Sequence, residues 1–178
     1  DTVDGSAARV TDHIGFHANT RWGSDVLIGS SGHDTLEGGE GRDTITGGAG
    51  NDRYVVDVAG DVIVEDPAAG SDRVDVAFAA AGTYTLGANL EKLVLTGSAA
   101  INGTGNALAN TLAGNIAANV LNGGAGSDTL IGGLGNDTYV VDINTDIISE
   151  ASTLVTEIDT VLSSLTWTLG ANLEKLVL

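Results

Sequence analysis

Residues 123–140 read GGAGSDTLIGGLGNDTYV. Two nine-residue units stand side by side. Each opens on two glycines, reaches an acid at its sixth position and an apolar residue at its eighth: Asp128 then Leu130, Asp137 then Tyr139. Working outward, Leu112, Leu121, Leu130, Tyr139 and Ile148 keep the same nine-residue step. Two positions before them stand Asn110, Asn119, Asp128, Asp137 and Asp146. The first half keeps the same frame. Leu27, Leu36, Ile45, Tyr54 and Ile63 follow Asp25, Asp34, Asp43, Asp52 and Asp61. One constant offset carries each onto its counterpart, Leu27 onto Leu112 and Ile63 onto Ile148 alike. A nine-residue repeat is therefore nested in a longer super-repeat. The eleven residues TLGANLEKLVL at 85–95 recur at 168–178. Connectors are less regular, but Val94 lies two whole units before Leu112, which predicts winding that stays in phase through the glycine-poor stretch.

Each unit has six turn-forming residues and three strand-forming ones. In Thr44-Ile45-Thr46 the side chains alternate, so Ile45 faces one way and the threonines the other. So short a strand needs identical neighbours about 4.8 Å away in a parallel ladder. Two units make one coil with a strand on each side, and their inward apolar residues meet in a thin dry core. The expected fold class is all-β: a right-handed parallel β-roll or β-helix solenoid with short three-residue strands. Units n and n+2 stack, and their loops stack with them. Glycine lets the loops turn sharply, and Asp adds carboxylates. Two stacked loops then offer one ion an all-oxygen, flexible shell, which suits Ca²⁺ better than Mg²⁺ or Zn²⁺.

Composition fits this reading. Gly is 26 of 178 residues and Pro only 1, which excludes collagen and a Pro-rich linker. Aromatics are 4%, so the core must be aliphatic. A net charge of −17 repels nucleic acid and anionic lipid, and no apolar run is long enough to insert in a membrane. With no Cys, a bound metal is the available staple. The opening DTVDGSAARV does not read as a signal peptide. The second TLGANLEKLVL stops where the first runs on into TGSAAING, so we expect the chain to be a piece of something larger.

The units GGEGRDTIT and GGAGNDRYV of the first half, and GGAGSDTLI and GGLGNDTYV of the second, resemble the RTX (repeats-in-toxin) calcium-binding nonapeptide G-G-x-G-x-D-x-U-x. The resemblance covers roughly 20–178. It implies that Asp side chains and loop carbonyls hold the ions. In the first copy the implied set is Asp25 with Asp43, and Asp34 with Asp52. Around them stand Gly29, Gly32, Gly38, Gly39, Glu40, Gly41, Gly47, Gly48, Ala49 and Gly50. Asp57 and Asp61 cap the row of Asp43, and Asp72 closes that of Asp52. In the second copy Asp128 pairs with Asp146 and Asp137 with Asp159, and Asp142 matches Asp57. The loops there contribute Gly123, Gly124, Ala125, Gly126, Gly132, Gly133 and Gly135.

Departures from the pattern set limits. Asn110 and Asn119 replace Asp in glycine-poor loops, so those turns are expected to be weak or calcium-free, their side chains hydrogen-bonding along the stack. The unit at Asp25 lacks the double glycine. Asp4, Asp12, Glu65, Asp66 and Glu150 read as solvated surface. Glu91-Lys92 and Glu174-Lys175 read as surface pairs of little weight. His13 and His17 are spaced four apart without a third ligand, and His33 reads as exposed. Trp167 and Tyr84 read as plugs of the solenoid side, with a sugar platform the lesser alternative.

The expected organisation is a segment 1–19 outside the repeats, a first calcium β-roll block at 20–75, a calcium-poor β-helical bridge at 76–109, and a second block with a truncated bridge at 110–178. No nucleophile elbow, zinc-protease helix, Walker loop or Cys nucleophile is present, so the chain does not read as an enzyme. The leading expectation is an RTX module of a larger secreted protein that folds on extracellular calcium and leaves the cell by type I secretion machinery. Two alternatives stand beside it. One is an adhesive repeat of a surface layer or large adhesin that self-associates. The other is the C-terminal part of a secreted protease, lipase or epimerase.

Overall fold

The computed structural model describes residues 8–9, 17–19, 22–154 and 156–178. Every regular element among them is a β-strand. The chain divides into two compact units: Asp1–Phe78 with Gly87–Lys92, and Ala79–Leu86 with Leu93–Leu178.

In the first unit, strands alternate between two parallel sheets. With strands numbered in chain order, β1 (Ala8–Arg9), β3 (Val26–Ile28), β5 (Thr44–Thr46) and β7 (Val62–Val64) lie on one side. β2 (His17–Asn19), β4 (Thr35–Glu37), β6 (Arg53–Val56) and β8 (Arg73–Val76) form the other. The register is the sequence repeat made visible: Val26 pairs Thr44, Leu27 pairs Ile45 and Ile28 pairs Thr46, each two nine-residue units further along. Parallel strands this short are joinable only because the coil returns after two turns.

In the second unit, β9 (Gly82–Thr85), β11 (Ile101–Thr104), β13 (Val120–Asn122), β15 (Thr138–Val141), β17 (Thr160–Ser163) and β18 (Lys175–Val177) make one sheet. β12 (Thr111–Ala113), β14 (Thr129–Ile131) and β16 (Ile147–Ser149) line the opposite side, after β10 (Lys92–Leu95). Pairing again steps by two units from β12 through β16. The coil widens at the end of each copy. Arg53 pairs Arg73 and Thr138 pairs Thr160, both beyond the regular two-unit step. The glycine-poor connectors 65–71 and 150–158 supply the extra residues.

The core is the eighth-position column. Leu27, Leu36, Ile45 and Tyr54 are fully buried in the first unit, and Leu112, Leu121, Leu130 and Tyr139 in the second. Their neighbours along each strand are half-buried or exposed, as alternation requires. Burying each such side chain stabilises by about 1.5–3 kcal/mol. Ile63 and Ile148 keep the phase but are only half-buried, because β7 and β16 end their sheets.

One expectation needs correction. Val94 does not carry the phase through the bridge. Leu93 and Leu95 face inward, at 0% and 2% exposure, and Val94 lies on the other face. The connector inserts an odd number of residues, and a slip of one exchanges the faces. Strand pairing also reaches into 1–19: β1 registers Ala8 with Leu27, and β2 registers His17 with Thr35. Asp4, Asp12 and His13, with Thr20 and Arg21 of the first loop, lie outside the described residues.

Candidate metal centre

The loop at 123–128 shows what each glycine does. Gly124 and Gly126 have φ of 80° and 128°, a region that side chains disfavour. Gly123 lies against the Asp128 carboxylate, where a Cβ would collide. Loops at 38–43, 47–52 and 132–137 repeat the pattern. Glycines of one loop also lie against carbonyls of the loop two units earlier, Gly124 over Asn106 and Gly48 over Ser30, so the loops are stacked face to face.

The acids form a ladder down each stack. The Asp25 amide donates to Asp43 Oδ1 (2.8 Å) and the Asp43 amide to Asp61 Oδ1 (3.1 Å). On the other side Asp34 donates to Asp52 Oδ1 (2.8 Å), Asp52 to Asp72 Oδ1 (2.7 Å) and Asp72 to Glu91 Oε2 (2.8 Å). The second copy runs Asn110 to Asp128 to Asp146, and Asn119 to Asp137 to Asp159 to Glu174, over 2.7–3.0 Å. The aspartate-to-aspartate rungs join residues that the sequence placed together; the rungs to Glu91 and Glu174 were not among them.

At Asp43, Asp52, Asp61, Asp72, Asp128, Asp137, Asp146 and Asp159 one oxygen, Oδ1, is spent on the ladder. The other is Oδ2, and at Asp25, Asp43, Asp52, Asp72, Asp128 and Asp137 it is buried with no hydrogen-bond partner. An ionised carboxylate left so is costly, and a cation is the group that would satisfy it. The donor set is oxygen only, which fits a hard ion such as calcium. Burial pushes the Asp52 carboxyl up to about 6 and Asp137 up to about 7. Asp43, Asp72, Asp128 and Asp159 are raised by the same cause, each with a further push from neighbouring acids.

Loops that open on glycine but lack the second glycine behave differently. The Ser30 amide donates to Asp34 Oδ2 at 2.6 Å, Asn106 to Asn110 Oδ1 at 2.7 Å, and Asn115 to Asn119 Oδ1 at 2.8 Å. An ordinary residue at that position keeps φ negative and turns its N–H onto the side chain four residues later. Glycine at φ > 0 turns the N–H away and leaves the oxygen open. Asn119 also donates to the Ile101 carbonyl (2.6 Å), hydrogen-bonding to the neighbouring coil.

Other sequence-predicted residues fall as follows. Asp57 is half-buried, with Oδ1 unpartnered, whereas its counterpart Asp142 is exposed. Asp146 accepts from the Ile143 amide at 3.4 Å through its second oxygen. The Glu40 carbonyl accepts from the Gly23 amide at 2.8 Å. His33 is exposed, and its Nδ1 accepts from the Asn51 amide.

Of the glutamates read as surface, Glu65, Glu91 and Glu150 prove otherwise, and exposed Glu174 still joins the ladder. Glu65 is 7% exposed and accepts from the Tyr54 hydroxyl and the Gly47 amide. Glu150 is half-buried and accepts from the Tyr139 hydroxyl. A phenol buried at the end of the core needs an acceptor, and these glutamates fold over to supply it. Glu91 and Glu174 take the next rung of the ladder. Each stands two positions before an inward-side Leu, so the frame did contain that signal. Asp75, buried and not foreseen, is held by Arg53 and Arg73 at 2.5 Å.

A parallel solenoid whose stacked loops bury unsatisfied carboxylates belongs to the class of metal-binding repeat folds. The family model of the RTX calcium-binding nonapeptide repeat matches residues 20–54 and 104–139, in four copies. The chain thus carries RTX calcium-binding repeats and winds them into a parallel β-roll. A search of the curated proteins finds no match. Among the described residues no helix is long and apolar enough to cross a membrane.

Proposed function

We propose that this module folds on extracellular calcium as part of a larger secreted protein. The observation that carries the reading is the set of buried Oδ2 atoms without partners, recurring in the double-glycine loops of both copies. Without a cation these carboxylates repel one another and stay solvated in an unfolded chain. With it, binding only the folded state adds to its stability. Extracellular calcium modules have dissociation constants of roughly 10⁻⁴–10⁻³ M, so the cytosol leaves such a chain unfolded and the outside folds it. Export unfolded by type I machinery follows from that difference. The ligands are the Asp side chains and loop carbonyls of the double-glycine loops, with Asp25, Asp61, Asp72, Asp146 and Asp159 completing the rows. The Asn110 and Asn119 turns contribute little, and 76–109 is a calcium-poor bridge between the two blocks.

Circular dichroism during calcium addition and chelation tests this. The β signal is expected to appear with calcium and vanish with chelator. A signal indifferent to both would overturn the reading. A second reading, an adhesive or surface-layer array, is favoured by the long super-repeat, since arrays grow by duplication. Calcium-dependent association in light scattering would support it.

A further inference from the structure

The nonapeptide frame does not account for one cluster that both copies build. In the first copy Asp52 and Glu65 meet beside Tyr54, and Asp72 accepts from the Asp52 amide at 2.7 Å. A Cβ on Gly47 would strike the Tyr54 hydroxyl, Asp52 Oδ2 and Glu65 Oε1, so these atoms close over a glycine. Asp52, Asp72 and Glu65 are 2%, 1% and 7% exposed, and Asp52 Oδ2, Asp72 Oδ2 and Glu65 Oε2 have no hydrogen-bond partner. No ion pair among the described residues joins any of the three to a cation. In the second copy Asp137, Glu150 and Asp159 each place a carboxylate oxygen within 4.8 Å of the others. Gly132 lies under Tyr139, Asp137 and Glu150 in the same way.

Glu65 follows Asp52 at the same spacing as Glu150 follows Asp137, and that spacing is off the nine-residue frame. The closing aspartates, Asp72 and Asp159, lie beyond the regular two-unit step, where the coil widens. Three carboxylates on one spot are repulsive unless a cation joins them. The tyrosine hydroxyl occupies one glutamate oxygen and orients the carboxylate, leaving the other free at Glu65.

We propose that each cluster is a calcium site of its own, a three-carboxylate cap that closes the loop row of its copy, with Glu65 and Glu150 as ligands and Tyr54 and Tyr139 as positioning residues. The choice of cation rests on the calcium reading of the loops. The site itself rests on the convergence just described.

Native mass spectrometry of the intact chain across a calcium titration tests it. Glu65→Gln and Glu150→Gln are each expected to hold one ion fewer than the parent at saturation. A parent that binds calcium while both variants bind equally many ions overturns the cap and leaves the loops standing. A parent that binds none overturns both. Thermal melts guard against a variant that fails to fold. As calcium is raised, the melting temperature of the parent is expected to climb faster than that of Glu150→Gln, because the parent binds one ion more. A gap that stays constant with calcium would mark a packing role only and overturn the proposal. Tyr139→Phe keeps every carboxylate, so it is expected to keep the ion count but bind its last ion several-fold more weakly. An unchanged titration would remove tyrosine from the site.

Discussion

At the residue scale, the loops differ by whether the protein satisfies its own acceptors. Asn119 donates to Ile101 and accepts from Asn115, so that turn is complete without an ion. Asn119→Asp would set a carboxylate against the Ile101 carbonyl. It is expected to cost the folded protein about 1–3 kcal/mol, read by urea denaturation in saturating calcium. The pH response follows from the raised carboxyls. Asp52 and Asp137, at about 6 and about 7 when folded, hold protons more tightly folded than unfolded. Their contribution to metal-free stability is therefore full below the ordinary carboxylate range, near ~4. It is lost as pH rises through about 6 to 7. The β signal remaining in chelator is expected to be largest at low pH and to fall across that window. With calcium the trend reverses, since protons compete for the same oxygens.

At the element scale, the residue after the first glycine decides the chemistry of the loops that open on glycine. Ser30→Gly is expected to release Asp34 Oδ2 from the Ser30 amide and raise calcium affinity at that loop, seen by titration calorimetry as stronger binding. Gly133→Asn is expected to do the opposite, closing the loop onto Asp137. The strands depend on the inward column instead. Leu121→Ala removes a fully buried side chain from β13 and is expected to cost about 2–5 kcal/mol, measured in saturating calcium. The mixed outcome for the bridge belongs here too. Its strands were foreseeable from apolar content, but the face of Val94 was not, because one inserted residue reverses the alternation.

At the scale of the molecule, a net charge of −17 is tolerable only if cations or water answer it. Specific sites, not ionic strength, are the expected answer. Sodium chloride matched in ionic strength to saturating calcium is expected to leave the chain unfolded by circular dichroism, since screening cannot supply ligands to buried oxygens. The sequence by itself determined the coil, because a period of nine with one inward apolar residue admits one way of burying that residue. It also determined which acids stack, since the two-unit register follows from that period. Only the tertiary structure decided which oxygens remain unsatisfied, and that Glu65 and Glu150 fold back onto the core tyrosines. Their recurrence at matching places in the two copies was legible. Their inward course was not, because it depends on a core tyrosine seeking an acceptor from a connector that the repeat does not govern.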